Sequence, residues 1–228
     1  MEEALIHGPS RGSLGDQAYH DIRRMIVRLE LAPGAIVRED KLQQQLGTGR
    51  TPIREALQRL VRDQFVTIVP RRGVYVSHID VSELSTLYET RAVLEPYASR
   101  LACTRGDARH WSTMRDVLGH AHQPGVSALE LIEFDRRCHE IIWEAADNRF
   151  LTATLEMLYA QSDRLWHMYL ADVDDMGHAV EQHVEILDAF EAHDIERSAA
   201  LVEAHIRAFD EQIRGAVHRR LESPLATT

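Results

Sequence analysis

The chain has 228 residues, 44% apolar and 27% charged, with a formal net charge of −10. This is a globular composition with enough apolar residues for a proper core, and it excludes a disordered or fibrous chain. No apolar run approaches the ~18 residues of a membrane span, and the first 15 residues lack the apolar segment of a secretory signal. The two cysteines, Cys103 and Cys138, form neither a CxxC pair nor a disulfide framework. A reducing, cytoplasmic setting is therefore expected.

The net charge conceals a division. Residues 1–78 carry 12 Lys and Arg against nine Asp and Glu, whereas residues 79–228 carry 14 Arg, no Lys and 27 acidic residues. A basic-leaning module joined to an acidic one is what a DNA reader with a separate partner domain would show.

In chain order, residues 1–13 read as a polar tail containing Gly, Ser and Pro. From Leu14, apolar residues Ala18, Ile22, Met25, Ile26 and Leu29 recur at helical spacing. Ala32-Pro33-Gly34 breaks that helix. A short helix is predicted around Asp40–Leu46, closed by Gly47. Thr51-Pro52 predicts the next start, with Thr51 as N-cap and Pro52 at the first helical position. Its apolar face is Ile53, Leu57, Leu60 and Val61. The period then changes. Residues 65–69 and 74–76 read as short strands around a Pro70-Arg71-Arg72-Gly73 turn. Helix, short helix, helix and hairpin is the order of a winged helix-turn-helix over residues 14–78.

Beyond His78 the pattern is helical throughout, over about 81–105, 107–122, 127–146, 149–171, 177–193 and 194–218. Pro96 is expected to kink or split the first of these. Residues 79–222 thus read as an all-α antiparallel bundle, and residues 223–228 as a fraying end. The fold class is mainly α: an N-terminal winged helix-turn-helix and a C-terminal helical domain.

Two constellations carry chemistry. The second helix of a helix-turn-helix enters the major groove. There Arg50, Thr51, Arg54 and Gln58 lie on the outer side of the predicted helix. Arginine's planar fork suits a guanine edge or a phosphate, and the helix N-terminus adds backbone N–H groups. Arg71 and Arg72 beside Gly73 form the hairpin tip, placed to enter the minor groove or grip the backbone. In the helical half, Asp135 and His139 are four residues apart on one helix face, with His183 and His205 on later helices. Three helices of a bundle can aim one carboxylate and three imidazoles at an interior point, a donor set for zinc, nickel, manganese or iron. Spacing alone equally allows an ordinary surface Asp/His pair. The ten other histidines have no comparable arrangement.

Aromatic and sulfur side chains along 157–176 (Met157, Tyr159, Trp166, Met168, Tyr169, Met176) read as core or dimer contact, or as the lining of a cavity. Cys103 and Cys138 read as small core residues. Cys138 points about 100° away from its neighbour His139 on a helix, which makes it a poor fifth ligand.

The run from Arg38 to Val76 contains R-T-P-I-R-E-A-L at 50–57 and R-G-x-x-V at 72–76, with P-G before it at 33–34. It resembles the DNA-binding domain of the GntR regulators. F-D-x-x-C-H-E-I-I at 134–142, E-Q-H-V-E-I-L-D-A at 181–189 and A-L-V-E-A-H-I at 200–206 resemble the FCD domain of the FadR-type branch. The resemblance covers roughly residues 15–215. It implies that Arg50 and Arg54 contact an operator, that Gly73 shapes the wing, and that Asp135, His139, His183 and His205 hold a divalent metal, zinc first. It also implies that Arg91, in R-A-V-L-E at 91–95, faces a carboxylate of the effector. Pairing with Glu95 at i+4 is the ordinary alternative for that arginine.

The expected protein is a metabolite-responsive transcriptional regulator: a homodimeric repressor on an approximately palindromic DNA operator, with a metal and a small carboxylate effector in its bundle. The rival readings are a metal-dependent enzyme built on the Asp/His cluster, and a DNA binder whose bundle only dimerises.

Overall fold

The computed structural model describes residues 13–170 and 177–222. The polar tail at 1–12, the end at 223–228 and Met176 lie outside the described residues. The chain divides into two compact units, one ending at Ile79 and the other starting at Asp80.

In the first unit, α1 (Leu14–Val27) starts on a capping box in which Ser13 and Asp16 satisfy each other's backbone N–H groups. It buries Ala18, Tyr19, Ile22, Met25 and Ile26, which recur at three and four residues. After the two-residue strand β1 (Ile36–Val37), α2 (Glu39–Leu46) ends on Gly47, whose φ of 60° is the left-handed conformation glycine adopts at least cost. The recognition helix α3 (Arg50–Arg62) packs Ile53, Ala56, Leu57 and Leu60 inward. Its N-cap is Gly49, not Thr51 as the sequence predicts. Proline carries no N–H, but neither do the first-turn amides have partners within the helix, so α3 begins two residues before Pro52 without losing a hydrogen bond.

Strands β2 (Val66–Val69) and β3 (Gly73–Val76) pair antiparallel, Val66 opposite Val76 and Val69 opposite Gly73. β1 adds to the far edge of β3 through Ile36–Tyr75 and Val37–Val74, giving the order β1-β3-β2. Two residues are too few to show a period, so only the pairing reveals β1. The wing turns at Val69-Pro70-Arg71-Arg72, closed by a 3.0 Å bond from Arg72 N–H to the Val69 carbonyl. Arg71 occupies the left-handed region at φ 65°.

The second unit opens with a short 3₁₀ turn (Val81–Glu83), and every described element after it is helical: α4 (Leu84–Arg105), α5 (Ala108–Ala121), α6 (Ala128–Ala146), α7 (Arg149–Tyr169), α8 (Gly177–Glu191) and α9 (Ile195–Glu222). α4 runs through Pro96 instead of dividing there. Proline inside a helix costs about 3 kcal/mol; α4 packs against α6, α7 and α9, and Pro96 itself is buried among these contacts. Small residues at Ala98, Ser99 and Ala102 let α9 approach α4 closely, and Ser99 Oγ donates to Ser198 Oγ at 3.1 Å. Both cysteines are buried and free. Among the described residues no helix is long and apolar enough to cross a membrane.

Candidate metal centre and DNA-reading face

α6, α8 and α9 bring Asp135, His139, His183 and His205 together inside the bundle. One ligand atom from each lies within 4.8 Å of the other three, and all four residues are buried. Asp135 and His139 share the inward face of α6 with Ile132, Cys138, Ile142 and Trp143, so helical periodicity alone buries them once α6 is packed. His139 Nε2 lies 3.2 Å from His205 Nε2, and His205 Nε2 lies 3.3 Å from Asp135 Oδ1. His183 Nδ1 is 3.6 Å from the same carboxylate oxygen. Two donors about 2.0–2.1 Å from a tetrahedral ion stand about 3.3 Å apart. The first two spacings fit such an ion, and His183 offers Nε2, the ring nitrogen opposite its Nδ1 contact.

His183 Nδ1 is 3.0 Å from the Ala179 carbonyl and His205 Nδ1 is 2.9 Å from Gln182 Oε1, so each has an acceptor for its Nδ1 hydrogen and turns Nε2 to the other side of the ring. His139 Nδ1 lies 2.7 Å from Glu95 Oε2, an ion-pair distance. His183 Nε2 and Asp135 Oδ1 are buried with no hydrogen-bond partner. Buried polar atoms are nearly always paired, and these are of the kinds that ligate a borderline divalent cation. Asp135 Oδ2 is held by the Tyr159 hydroxyl, which donates to it at 2.6 Å.

The electrostatics follow from that packing. Burial opposes the charge of Asp135, but His139, His205 and His183 together hold its carboxyl well below the usual range. Burial, with His205 adding to it, pushes His183 down to about 3, and burial also lowers His205. Both shifts favour the neutral imidazole, the form a metal requires. Burial and the neighbouring Asp135 raise the Tyr159 phenol well above its ordinary value, which keeps it a donor.

Arg91 is 2% exposed and faces the protein's own groups. Its Nε donates to Glu95 Oε1 at 2.6 Å, its Nη1 to Ser162 Oγ at 2.9 Å, and its guanidinium lies 4.9 Å from the Tyr159 ring centre. Glu95 is thus bound from both sides. Burial works against its charge, yet Arg91 and His139 bring its pKa down to about 2. Gln182 is not singled out by the sequence, and Glu95 and Tyr159 are singled out there without a link to the quartet. Glu95 was visible only as the i+4 partner of Arg91, and nothing in the pattern linked it to His139. Trp166, on the aromatic stripe, is core, its indole N–H donating to the Tyr88 hydroxyl at 3.2 Å. His167 forms a second buried pair, 3.4 Å from Asp163 on the same helix.

On the first unit, Arg50, Thr51, Arg54 and Gln58 are all exposed on one side of α3, opposite its buried stripe. No side chain caps the N-terminus of α3, so its first-turn amides face outward from Gly49. Arg71, Arg72 and Gly73 are exposed at the wing tip, and Gly73 has a φ of 115° that favours glycine alone.

The family described as "Bacterial regulatory proteins, gntR family" matches residues 14–76, and the FCD domain matches residues 86–208. The Nta operon transcriptional regulator of Aminobacter aminovorans is 33% identical over 85% of this chain and 93% of its own. The chain belongs to the GntR family. Another relative, the HTH-type transcriptional repressor RspR of Escherichia coli, is 25% identical over 88% of this chain and 89% of its own. Two solved structures share the fold. E. coli McbR/YncC has a TM-score of 0.79 at 22% identity, covering 92% of this chain and 99% of that one; a GntR regulator from Rhodococcus sp. RHA1 has a TM-score of 0.72 at 21% identity, covering 90% and 99%. This GntR protein is a DNA-binding transcriptional regulator with an FCD domain, and its relatives are regulators rather than enzymes. The GntR match contains Arg50, Thr51, Arg54, Gln58, Arg71, Arg72 and Gly73, and the FCD match contains Arg91 and the Asp/His quartet.

Proposed function

We propose that this GntR regulator is a cytoplasmic homodimeric repressor whose FCD domain holds a divalent ion through Asp135, His139, His183 and His205, together with a small carboxylate effector. The observation that carries the reading is the 3.2 Å approach of His139 Nε2 to His205 Nε2. Gln182 engages His205 Nδ1 and Glu95 lies against His139 Nδ1, so both Nε2 atoms are turned to the same interior point. A cation there would be held by both. A divalent ion, zinc first and nickel, manganese or iron as alternatives, supplies a positive centre; the four side chains fill a tetrahedral shell, and a carboxylate joins when the ion expands to five or six positions.

The chain's own residues do the rest. Glu95, Ala179 and Gln182 set the imidazole tautomers, and Tyr159 turns Asp135 so that Oδ1 stays open. Arg91 places a second fixed positive charge beside the cluster, the partner for the effector's carboxylate. The effector acts by population shift, which requires that it bind the DNA-incompetent arrangement more tightly than the competent one. Two subunits are needed because one recognition helix reads a short, weakly specific site. Val93 and Tyr97, one turn apart on α4 and exposed, offer apolar surface for a partner to cover.

The test is elemental analysis of the purified protein, with about one ion per chain expected, and sedimentation, with a species of about twice 26.0 kDa expected. A protein that stays metal-free in excess zinc, nickel and manganese ends the metal assignment. A strict monomer that binds its operator tightly ends the dimer.

A further inference from the structure

We infer that Glu39 is a specificity-determining residue of the DNA-reading face: its carboxylate orients Arg50 and Arg54 so that their terminal Nη groups are presented to base edges. Glu39 is the first residue of α2, and a single oxygen, Oε2, accepts from Arg54 Nε at 3.0 Å and from Arg50 Nε at 3.4 Å. Both contacts use Nε, the inner donor of the guanidinium. A guanidinium has five N–H donors in a rigid plane, and the four on Nη1 and Nη2 remain. Guanine O6 and N7 are read by two parallel donors of one fork. A fork already held at its inner edge meets that pair of acceptors with fewer rotamers to lose.

Fold stability does not account for the arrangement. Both arginines are more than half exposed, and an ion pair in water contributes little. Helix α2 does not need this carboxylate at its N-terminus either, because Asp40 supplies an acidic group in the same turn. The geometry instead joins the two helices of the reading motif at the side chains that leave it. One carboxylate between two guanidiniums also leaves one net positive charge. Glu39 therefore weakens indiscriminate attraction to phosphate while keeping the forks aimed at bases.

The inference rests on Arg50 and Arg54 being the operator-reading residues. Its test begins with the wild-type protein selecting duplexes from a randomised pool. Affinity for the selected duplex and for a scrambled one of equal length is then measured at several salt concentrations. In E39Q the ratio of the two affinities falls about tenfold or more. Binding to the scrambled duplex holds or rises, and repeated selection gives a broader base preference at the arginine-read position. D40N keeps the wild-type ratio, and in an R54A background the effect of E39Q on the ratio shrinks at least about threefold. Thermal unfolding of each variant establishes that it is folded. An E39Q protein that reselects the same consensus with an unchanged ratio overturns the inference and leaves the arginine assignment standing. So does an undiminished E39Q effect in the R54A background, because Glu39 would then act without that fork. A wild-type protein that selects no consensus removes the arginine assignment, and the inference with it.

Discussion

Glu95 Oε2 lies 2.7 Å from His139 Nδ1, and the other oxygen of the same carboxylate accepts Arg91 Nε at 2.6 Å. One buried anion thus orients a ligand of the proposed metal and neutralises the arginine proposed to meet the effector. A carboxylate behind a ligating imidazole fixes the tautomer and raises its basicity, and losing it typically costs 10–100-fold in metal affinity. The two halves of the proposed effector site are joined through this side chain, four residues along α4 from Arg91.

Glu95→Gln is expected to lower zinc affinity by roughly 10–100-fold while the protein stays folded. Glu95→Ala is expected to cost about 3–5 kcal/mol of stability as well, because it leaves Arg91 buried with neither a counter-ion nor the acceptor that Gln would retain for its Nε. Competition titration with a chromophoric chelator reads the first effect, and denaturant unfolding the second. Wild-type zinc affinity in Glu95→Gln would mean that packing alone orients His139.

Among the proposed ligands, His139→Ala, His183→Ala and His205→Ala should abolish stoichiometric metal. Asp135→Ala should be milder, since water can replace one oxygen. His193→Ala, whose residue is exposed on the α8–α9 link, is the silent control. Operator binding by the effector-free protein should survive these changes, because the reading residues lie in the other unit. Full metal occupancy in His183→Ala would show that the ligand set differs.

The metal-free protein should lose stability as pH falls from about 6.5 towards 5. His183 is held near 3 in the folded state, so the unfolded chain takes up its proton first as pH drops. Protons bound preferentially by the unfolded state lower folding stability, with a limiting slope of about 1.4 kcal/mol per pH unit for one group. His205, also lowered, adds in the same direction. Glu95 and Asp135 are held low as well, so their contributions persist over this window and are lost only below the carboxylate range. Urea unfolding of chelator-treated protein at stepped pH reads the slope. His183→Asn should flatten it, and an equal slope in that variant would place the titration elsewhere.

On the DNA side, Arg54→Ala should cost about 1–3 kcal/mol of specific operator binding, the worth of one bidentate base contact. Arg71→Ala should weaken specific and nonspecific binding evenly if its partner is a phosphate, and should reduce the salt slope by about one. Unchanged operator affinity in both Arg50→Ala and Arg54→Ala, with the fold intact, would displace α3 as the reading helix.

The wing offers a backbone test. Gly73 sits at φ 115° and Arg71 at φ 65°. Gly73→Ala should therefore destabilise the first unit by about 1–3 kcal/mol. Arg71→Gly should relieve strain while weakening DNA binding. Thermal unfolding and gel shift on the same two variants separate backbone from charge, and equal melting of Gly73→Ala and wild type would remove the strain argument.

Local signals determined much of this protein. Apolar spacing marked the helices, Gly47 and the gap between the 127–146 and 149–171 patterns marked two of their ends, and Arg71, Arg72 and Gly73 marked the wing. These features act over a few residues, where propensity and periodicity are visible in one stretch of chain. The quartet was also legible, because Asp135 and His139 share a helix face and the flanking motifs resemble FCD segments. What escaped was decided by partners distant in sequence. β1 exists because Ile36 and Val37 meet β3, and α4 continues through Pro96 between helices that pack on it. Glu95 becomes a support for His139 only when α4 and α6 lie side by side, and Tyr159 reaches Asp135 across 24 residues. A fully buried polar side chain must find its partner wherever the packed chain provides one. That partner is chosen by tertiary proximity, which no local period encodes.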